Sequence, residues 1–190
     1  MNLPNKLTVG RLFLCLVFAL TMEIDARWSG FAAFFVFAAA SLTDWLDGYL
    51  ARRYHLITEL GKLLDPLADK VLISAAYIGL VDHQMAPAWI VVFIIAREFL
   101  ITGLRTLAAA KGVILAAERI GKHKTISQIV TVLIGLALLS FQQMNWYPDL
   151  VHKLQDCLLK PMLYLTLAIT IFSGVAYFIK NYNLVLAEKK

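Results

Sequence analysis

Charge is scarce in this sequence: only 16% of its 190 residues are Asp, Glu, Lys or Arg, against about 25% in ordinary soluble domains. That shortage excludes a conventional solvated surface. Cysteine is scarcer still, with Cys15 and Cys157 far apart, so neither a disulfide framework nor a thiolate metal site is expected, and both are read as packing residues. The five prolines and ten glycines are scattered, which leaves no flexible linker, solenoid repeat or low-complexity tract. The four histidines show no ligand spacing; His55 and His123 are assigned to the surface. The formal net charge of +5 raises the question of nucleic acid, but the basic residues are spread over short loops rather than gathered on one face or tail, so no nucleic-acid partner is expected.

What is abundant is apolar sequence, 60% of the chain. Runs long enough to cross a bilayer core, about 20 residues each, recur along the whole length. They predict an all-α, polytopic integral membrane protein with six transmembrane helices at 6–22, 29–52, 61–81, 86–110, 123–142 and 158–180, forming a single domain over residues 1–190. The opening "MNLPNKLTVGR" lacks a small-residue cleavage site before its apolar run, so the first helix is expected to be retained. Lys and Arg then orient the bundle. Twelve of them (Lys6, Arg11, Arg52, Arg53, Lys62, Lys111, Arg119, Lys122, Lys124, Lys180, Lys189 and Lys190) fall on one side, while Arg27, Lys153 and Lys160 fall on the other. The positive-inside rule places both termini in the cytoplasm. Trp28, Trp89, Trp146 and Tyr147 lie near the opposite helix ends, where amphipathic rings anchor at the interface.

Against that background four aspartates stand out in "SLTDWLDGYLARRYHLITELGKLLDPLADKVLIS", residues 41–74. Asp44 and Asp47 are three apart and Asp65 and Asp69 four apart, so on helices each pair shares a face. The short connection between helices two and three brings both pairs to one depth, roughly 6–8 Å into the helices. Carboxylates in a bilayer cost about 2.5–3.5 kcal/mol each on insertion scales, and four together repel. Two divalent cations would balance them, and hard oxygen ligands suit Mg²⁺ or Mn²⁺. Such a two-metal cluster matches in-line phosphoryl displacement. Gly48 permits close approach of a ligand to the backbone, Arg52 offers a planar fork for phosphate oxygens, and Pro66 opens the helix ladder beside the cluster. Two rival readings stay open at this point: a solvated loop of ordinary surface acids, and a divalent-cation or proton transporter built on the same four residues.

The spacing Asp44-x2-Asp47-Gly48-x2-Ala51-Arg52-x8-Gly61-x3-Asp65-x3-Asp69 resembles the signature of the CDP-alcohol phosphotransferase family without departure. The resemblance implies that family's six-helix membrane fold, usually homodimeric, and displacement of CMP from a CDP-linked alcohol by an acceptor hydroxyl. It implies metal binding by Asp44, Asp47, Asp65 and Asp69, with Asp69 also the catalytic base. It implies CDP-lipid contacts at Gly48, Arg52 and Thr58, and in the N-terminal stretch Asn5 to Thr8.

The acceptor is not fixed by that signature. Arg97 and Arg105 lie within the predicted fourth helix, Arg105 near the depth of the aspartates, and Lys122 and Lys124 open the fifth from the same side. Together they suggest a basic pocket for an anionic head group. The bland alternatives are that Arg105 and Glu98, seven apart on one helix face, form a structural polar network, and that Lys122 and Lys124 serve topology alone. Lys70, beside Asp69, either tunes it or points away. The stretches "NLPNKLTVGR" and "AREFLITGLRTLAAAKGVILAAERIGKHKTISQ" also resemble the branch of the family that takes CDP-diacylglycerol as donor and glycerol 3-phosphate as acceptor in phospholipid biosynthesis. Siblings using phosphatidylglycerol, as in cardiolipin synthesis, or an inositol phosphate are the alternatives. With no transit peptide evident, the expected location is a bacterial inner membrane.

Overall fold

The structure, a computed structural model, describes the backbone of residues 3–24, 26–54, 59–110 and 119–186, and the side chains of residues 10–24, 26–43, 68–109 and 123–181. The protein is all-α, with no strand among the described residues. Its elements are α1 (Leu3–Glu23), α2 (Ser29–Tyr54), α3 (Glu59–Asp82), α4 (Ala88–Ala110), α5 (Arg119–Gln143), the short α6 (Pro148–Leu154), a π-helical turn (Gln155–Leu159) and α7 (Lys160–Leu186). The six long helices have 21 to 27 residues, about 32–41 Å at 1.5 Å per residue, enough to cross a hydrocarbon core of about 30 Å.

The six expected helices are all present, with shifted ends. α1 begins at Leu3 and α5 at Arg119. The largest difference lies before α7, where the sequence suggests a loop and the chain is helical from Pro148 onward. Pro161 has no N–H to return to the Cys157 carbonyl, and just ahead of it the ladder opens to i→i+5, with the Lys160 N–H on the Gln155 carbonyl. Cys157 sits in that turn and is exposed, so it does not pack inside this chain as expected, whereas Cys15 is buried.

α1 packs on α2 and α3, α2 on α5, α3 on α4 and α5, and α7 on α4 and α5. The buried centre is apolar toward the end where α3 meets α4, around Phe18, Phe37, Tyr77, Leu80, Ile90, Ile94 and Leu136. Outward the pattern is inverted relative to a soluble bundle. Phe13, Leu16 and Leu20 of α1, Phe35 of α2, Ile78 of α3, Phe99 and Leu100 of α4, Ile126 of α5, and Phe172 and Ile179 of α7 are exposed, while Arg11, Lys124, Gln128, Thr131, Ser140, Thr166 and Thr170 are buried. Polar inside and apolar outside is the arrangement a lipid solvent selects. Among the described residues, His123–Gln143 and Pro148–Asn181 are long and apolar enough to cross a membrane by length and composition. α3 and α4 carry Asp69, Lys70, Arg97, Glu98 and Arg105 in their inner turns, which shortens their unbroken apolar stretch.

Two local devices fix the bundle at the end where α3 meets α4. α3 and α5 both close with a left-handed residue, Gln84 (φ 59°) and Asn145 (φ 54°). The following N–H groups, of Met85 and Trp146, return to the carbonyls of Leu80 and Phe141 at 2.8 and 3.0 Å, satisfying carbonyls the helix leaves over. The start of α2 is tied to the end of α5: Gln143 Oε1 accepts from the Gly30 N–H at 2.7 Å and from Ser29 Oγ at 3.1 Å. A Cβ at Gly30 would lie 2.9 Å from Ser140 Cα, so only glycine lets these two helices approach so closely.

Candidate active site

The site grows from the second halves of α2, α4 and α7 and the first halves of α3 and α5. α2 is helical through Asp44 and Asp47, and α3 through Asp65 and Asp69, so the two pairs stand one turn apart on packed helices, as the spacing requires. The side chains of Asp44, Asp47, Gly48, Arg52 and Asp65 lie outside the described residues, as do those of Asn5, Thr8 and Lys122; Thr58 lies outside them entirely. Asp69 is half-buried. Its neighbour Ala68 is fully buried, and the Ala68 carbonyl accepts the Cys15 thiol at 3.7 Å. Arg11, one turn before Cys15 on α1, is 1% exposed, and the charges of Arg11 and Asp69 both reach Cys15. Arg11, counted from sequence as a topology residue, therefore belongs to the bundle interior in the neighbourhood of Cys15 and Asp69.

Four cations, Lys70, Arg97, Arg105 and Lys124, lie in the neighbourhood of Glu98 and Asp69. Lys70 does not point away: its ammonium donates to the Thr102 hydroxyl of α4, which in turn donates to the Glu98 carbonyl at 2.8 Å. Glu98 Oε1 pairs with Lys124 of α5 and, at 3.4 Å, with Arg97 Nη1. Lys124 keeps 7% of its side chain exposed, Glu98 13% and Arg97 15%. Arg97 Nη2 donates to Ser173 Oγ at 3.2 Å, and Arg105 Nε donates to Tyr177 Oη at 3.1 Å, both partners on α7. The Arg105 guanidinium carbon also lies 5.2 Å from the Tyr177 ring centre, within cation–π range.

Lys70, Arg97, Arg105 and Lys124 outnumber the two carboxylates described beside them, Glu98 and Asp69, by two charges; Arg105 is exposed, while the other three are half-buried or buried, where an unbalanced charge is costly. Of the residues expected in one pocket, Arg97 and Arg105 of α4 contact Ser173 and Tyr177 of α7, and Lys124 of α5 meets Arg97 through Glu98. Lys124 is buried and paired rather than solvated. Glu98 serves Arg97 and Lys124, while Arg105 takes Tyr177 as its partner. His123 is exposed, as expected. Sequence reasoning did not find Arg11, Thr102, Ser173 or Tyr177. The one available signal was the polar series Thr166, Thr170, Ser173 and Tyr177, at helical spacing within an otherwise apolar run.

Four aspartate positions on two packed helices and a cluster of cations on a membrane-type helical bundle suit phosphoryl-group transfer at a lipid surface. The chain belongs to the CDP-alcohol phosphatidyltransferase family, whose sequence profile matches residues 1–177. It is 40% identical, over 196 aligned positions covering 96% of each chain, to the CDP-diacylglycerol--glycerol-3-phosphate 3-phosphatidyltransferase of Bacillus subtilis. The protein of the same name from Rickettsia bellii is 36% identical over 93% of each chain. That from Escherichia coli K12 is 40% identical over 69% of this chain and 74% of its own.

Proposed function

We propose that this protein transfers the phosphatidyl group of CDP-diacylglycerol to glycerol 3-phosphate, as the names of its relatives say of them, and releases CMP. The observation that carries the acceptor assignment is the convergence of Lys70, Arg97, Arg105 and Lys124 beside Asp69. A dianionic phosphate supplies the two negative charges that Glu98 and Asp69 leave unmatched. A neutral acceptor would leave the cations unbalanced.

The donor set fits divalent cations: α2 and α3 present four hard carboxylate positions, a turn apart in each pair, on helices that pack together. Asp44, Asp47, Asp65 and Asp69 would hold two ions, Mg²⁺ or Mn²⁺. When bound, these neutralise pyrophosphate charge. Asn5, Thr8, Gly48, Arg52 and Thr58 contact the CDP moiety. Arg97, Arg105, Lys122 and Lys124 hold the acceptor phosphate. Its terminal hydroxyl gives a proton to Asp69 as the hydroxyl oxygen bonds to the β-phosphorus; the bond from that phosphorus to the bridging oxygen breaks, and CMP leaves. Fixing both substrates is the main contribution of the bundle.

The exposed apolar side chains on all six long helices support a six-span, single-domain membrane protein over residues 1–190. Both termini face the cytoplasm, where the soluble acceptor and CMP exchange, while the acyl chains stay among membrane lipids. We place it in a bacterial inner membrane as a homodimer. The direct test is incorporation of labelled glycerol 3-phosphate into solvent-extractable lipid by the purified protein. Asp69→Asn is expected to abolish incorporation while leaving the thermal unfolding profile in place. Label retained in lipid by Asp69→Asn would remove the base assignment.

A further inference from the structure

α7 carries buried hydroxyls at Thr166, Thr170, Ser173 and Tyr177, and its opposite face exposes Phe172, Val175, Phe178 and Ile179. Hydroxyls turned into the bundle of such an apolar helix call for a partner, and two of them meet the guanidinium groups of α4. We propose that Ser173, Gly174 and Tyr177 are positioning residues that seat Arg97 and Arg105, and that α7 thereby sets the enzyme's affinity and selectivity for a phosphorylated acceptor. This rests on the reading that Arg105 holds the acceptor phosphate.

The seat of Arg97 has a floor and a stop. A Cβ on residue 174 would come 3.0 Å from Arg97 Cγ and 3.3 Å from Arg97 Nε, so the arginine stem lies directly on the α7 backbone at Gly174. Ser173 Oγ donates its own proton to the Thr170 carbonyl at 3.0 Å. Its oxygen is therefore turned as an acceptor toward Arg97 Nη2, at 3.2 Å, while Nη1 is held by Glu98 at 3.4 Å. With a contact at each terminal nitrogen, Arg97 also braces Glu98 and, through it, Lys124.

Arg105 is held differently. Tyr177 takes the Nε–H at 3.1 Å and lays its ring against the guanidinium. That leaves the two terminal nitrogens, the edge that grips two phosphate oxygens at once, for a ligand. The phenol is buried and its backbone carbonyl is engaged by Asn181 Nδ2 at 2.8 Å, so the seat itself is fixed. A preoriented fork loses less freedom on binding than a mobile one.

The test is steady-state kinetics in detergent, varying glycerol 3-phosphate and CDP-diacylglycerol separately, on Tyr177→Phe, Gly174→Ala, Arg105→Gln and the unmodified enzyme. Tyr177→Phe keeps volume and ring and removes one charge-assisted hydrogen bond, so we expect about a tenfold rise in acceptor KM with donor KM unchanged and kcat within about twofold. Gly174→Ala is expected to shift acceptor KM in the same direction. Should it fail to fold, Tyr177→Phe alone decides. An unchanged acceptor KM in Tyr177→Phe, or equal rises for both substrates, would overturn the positioning role. If Arg105→Gln also leaves acceptor KM unchanged, the phosphate assignment falls with it; if Arg105→Gln raises it and Tyr177→Phe does not, the assignment stands and the seat alone is rejected.

Discussion

Replacing Arg105 by Gln tests the electrostatic core of the site. Its Nε is committed to Tyr177 and its guanidinium rests on that ring, so substitution removes the terminal fork and one of four cations near Glu98 and Asp69. A hydrogen bond to a charged group contributes about 1.5–3 kcal/mol, which at 1.36 kcal/mol per decade is about 10- to 150-fold in kcat/KM. The loss should appear with glycerol 3-phosphate as the varied substrate and be absent with CDP-diacylglycerol varied. Arg105→Lys retains charge but neither the planar fork nor the Nε bond, so it is expected to recover only part of the loss. Initial rates of CMP release in detergent micelles, with both substrates titrated, read this directly. An acceptor dependence identical to that of the unmodified protein would refute the pocket.

Other outcomes follow from the same geometry. Glu98→Gln strands the nearly buried Lys124 ammonium and is expected to destabilise the bundle by about 3–5 kcal/mol, seen as a lowered unfolding temperature; adding Lys124→Met should restore much of it, and an additive double variant would contradict the pairing. Gly30→Ala forces a Cβ to 2.9 Å from Ser140 Cα and is expected to cost about 1–3 kcal/mol by overpacking, with no separate effect on KM of the folded fraction. Chelation of divalent cations should stop CMP release and Mg²⁺ or Mn²⁺ should restore it, whereas full activity in chelator would contradict the carboxylate cluster.

Hydropathy made the long helices legible because a lipid-facing helix must be apolar for about 20 residues, whatever its neighbours. The aspartates were legible because their spacing is local: helix geometry alone places Asp44 with Asp47 and Asp65 with Asp69. The partners of the basic residues were not. Ser173 and Tyr177 lie 76 and 72 residues from the arginines they hold, and nothing local to "SGVAY" marks it as an arginine seat. Arg11 satisfied the positive-inside rule and so needed no further explanation, yet it is buried, and the choice between pocket and topology for Lys124 gave no hint of its burial against Glu98. The helix from Pro148 was masked by its polar composition, including Asp149, His152, Lys153 and Asp156, which reads as a loop until the backbone shows a helix opening into a π-turn before Pro161.

The most direct test of the central assignment is CMP release by the purified protein with CDP-diacylglycerol and Mg²⁺, comparing glycerol 3-phosphate, serine, an inositol phosphate and phosphatidylglycerol as acceptors. Release with glycerol 3-phosphate alone is the expected result. Release with another acceptor in its place would contradict the acceptor assignment, and divalent-cation flux in vesicles with no CMP release from any acceptor would contradict the transferase itself.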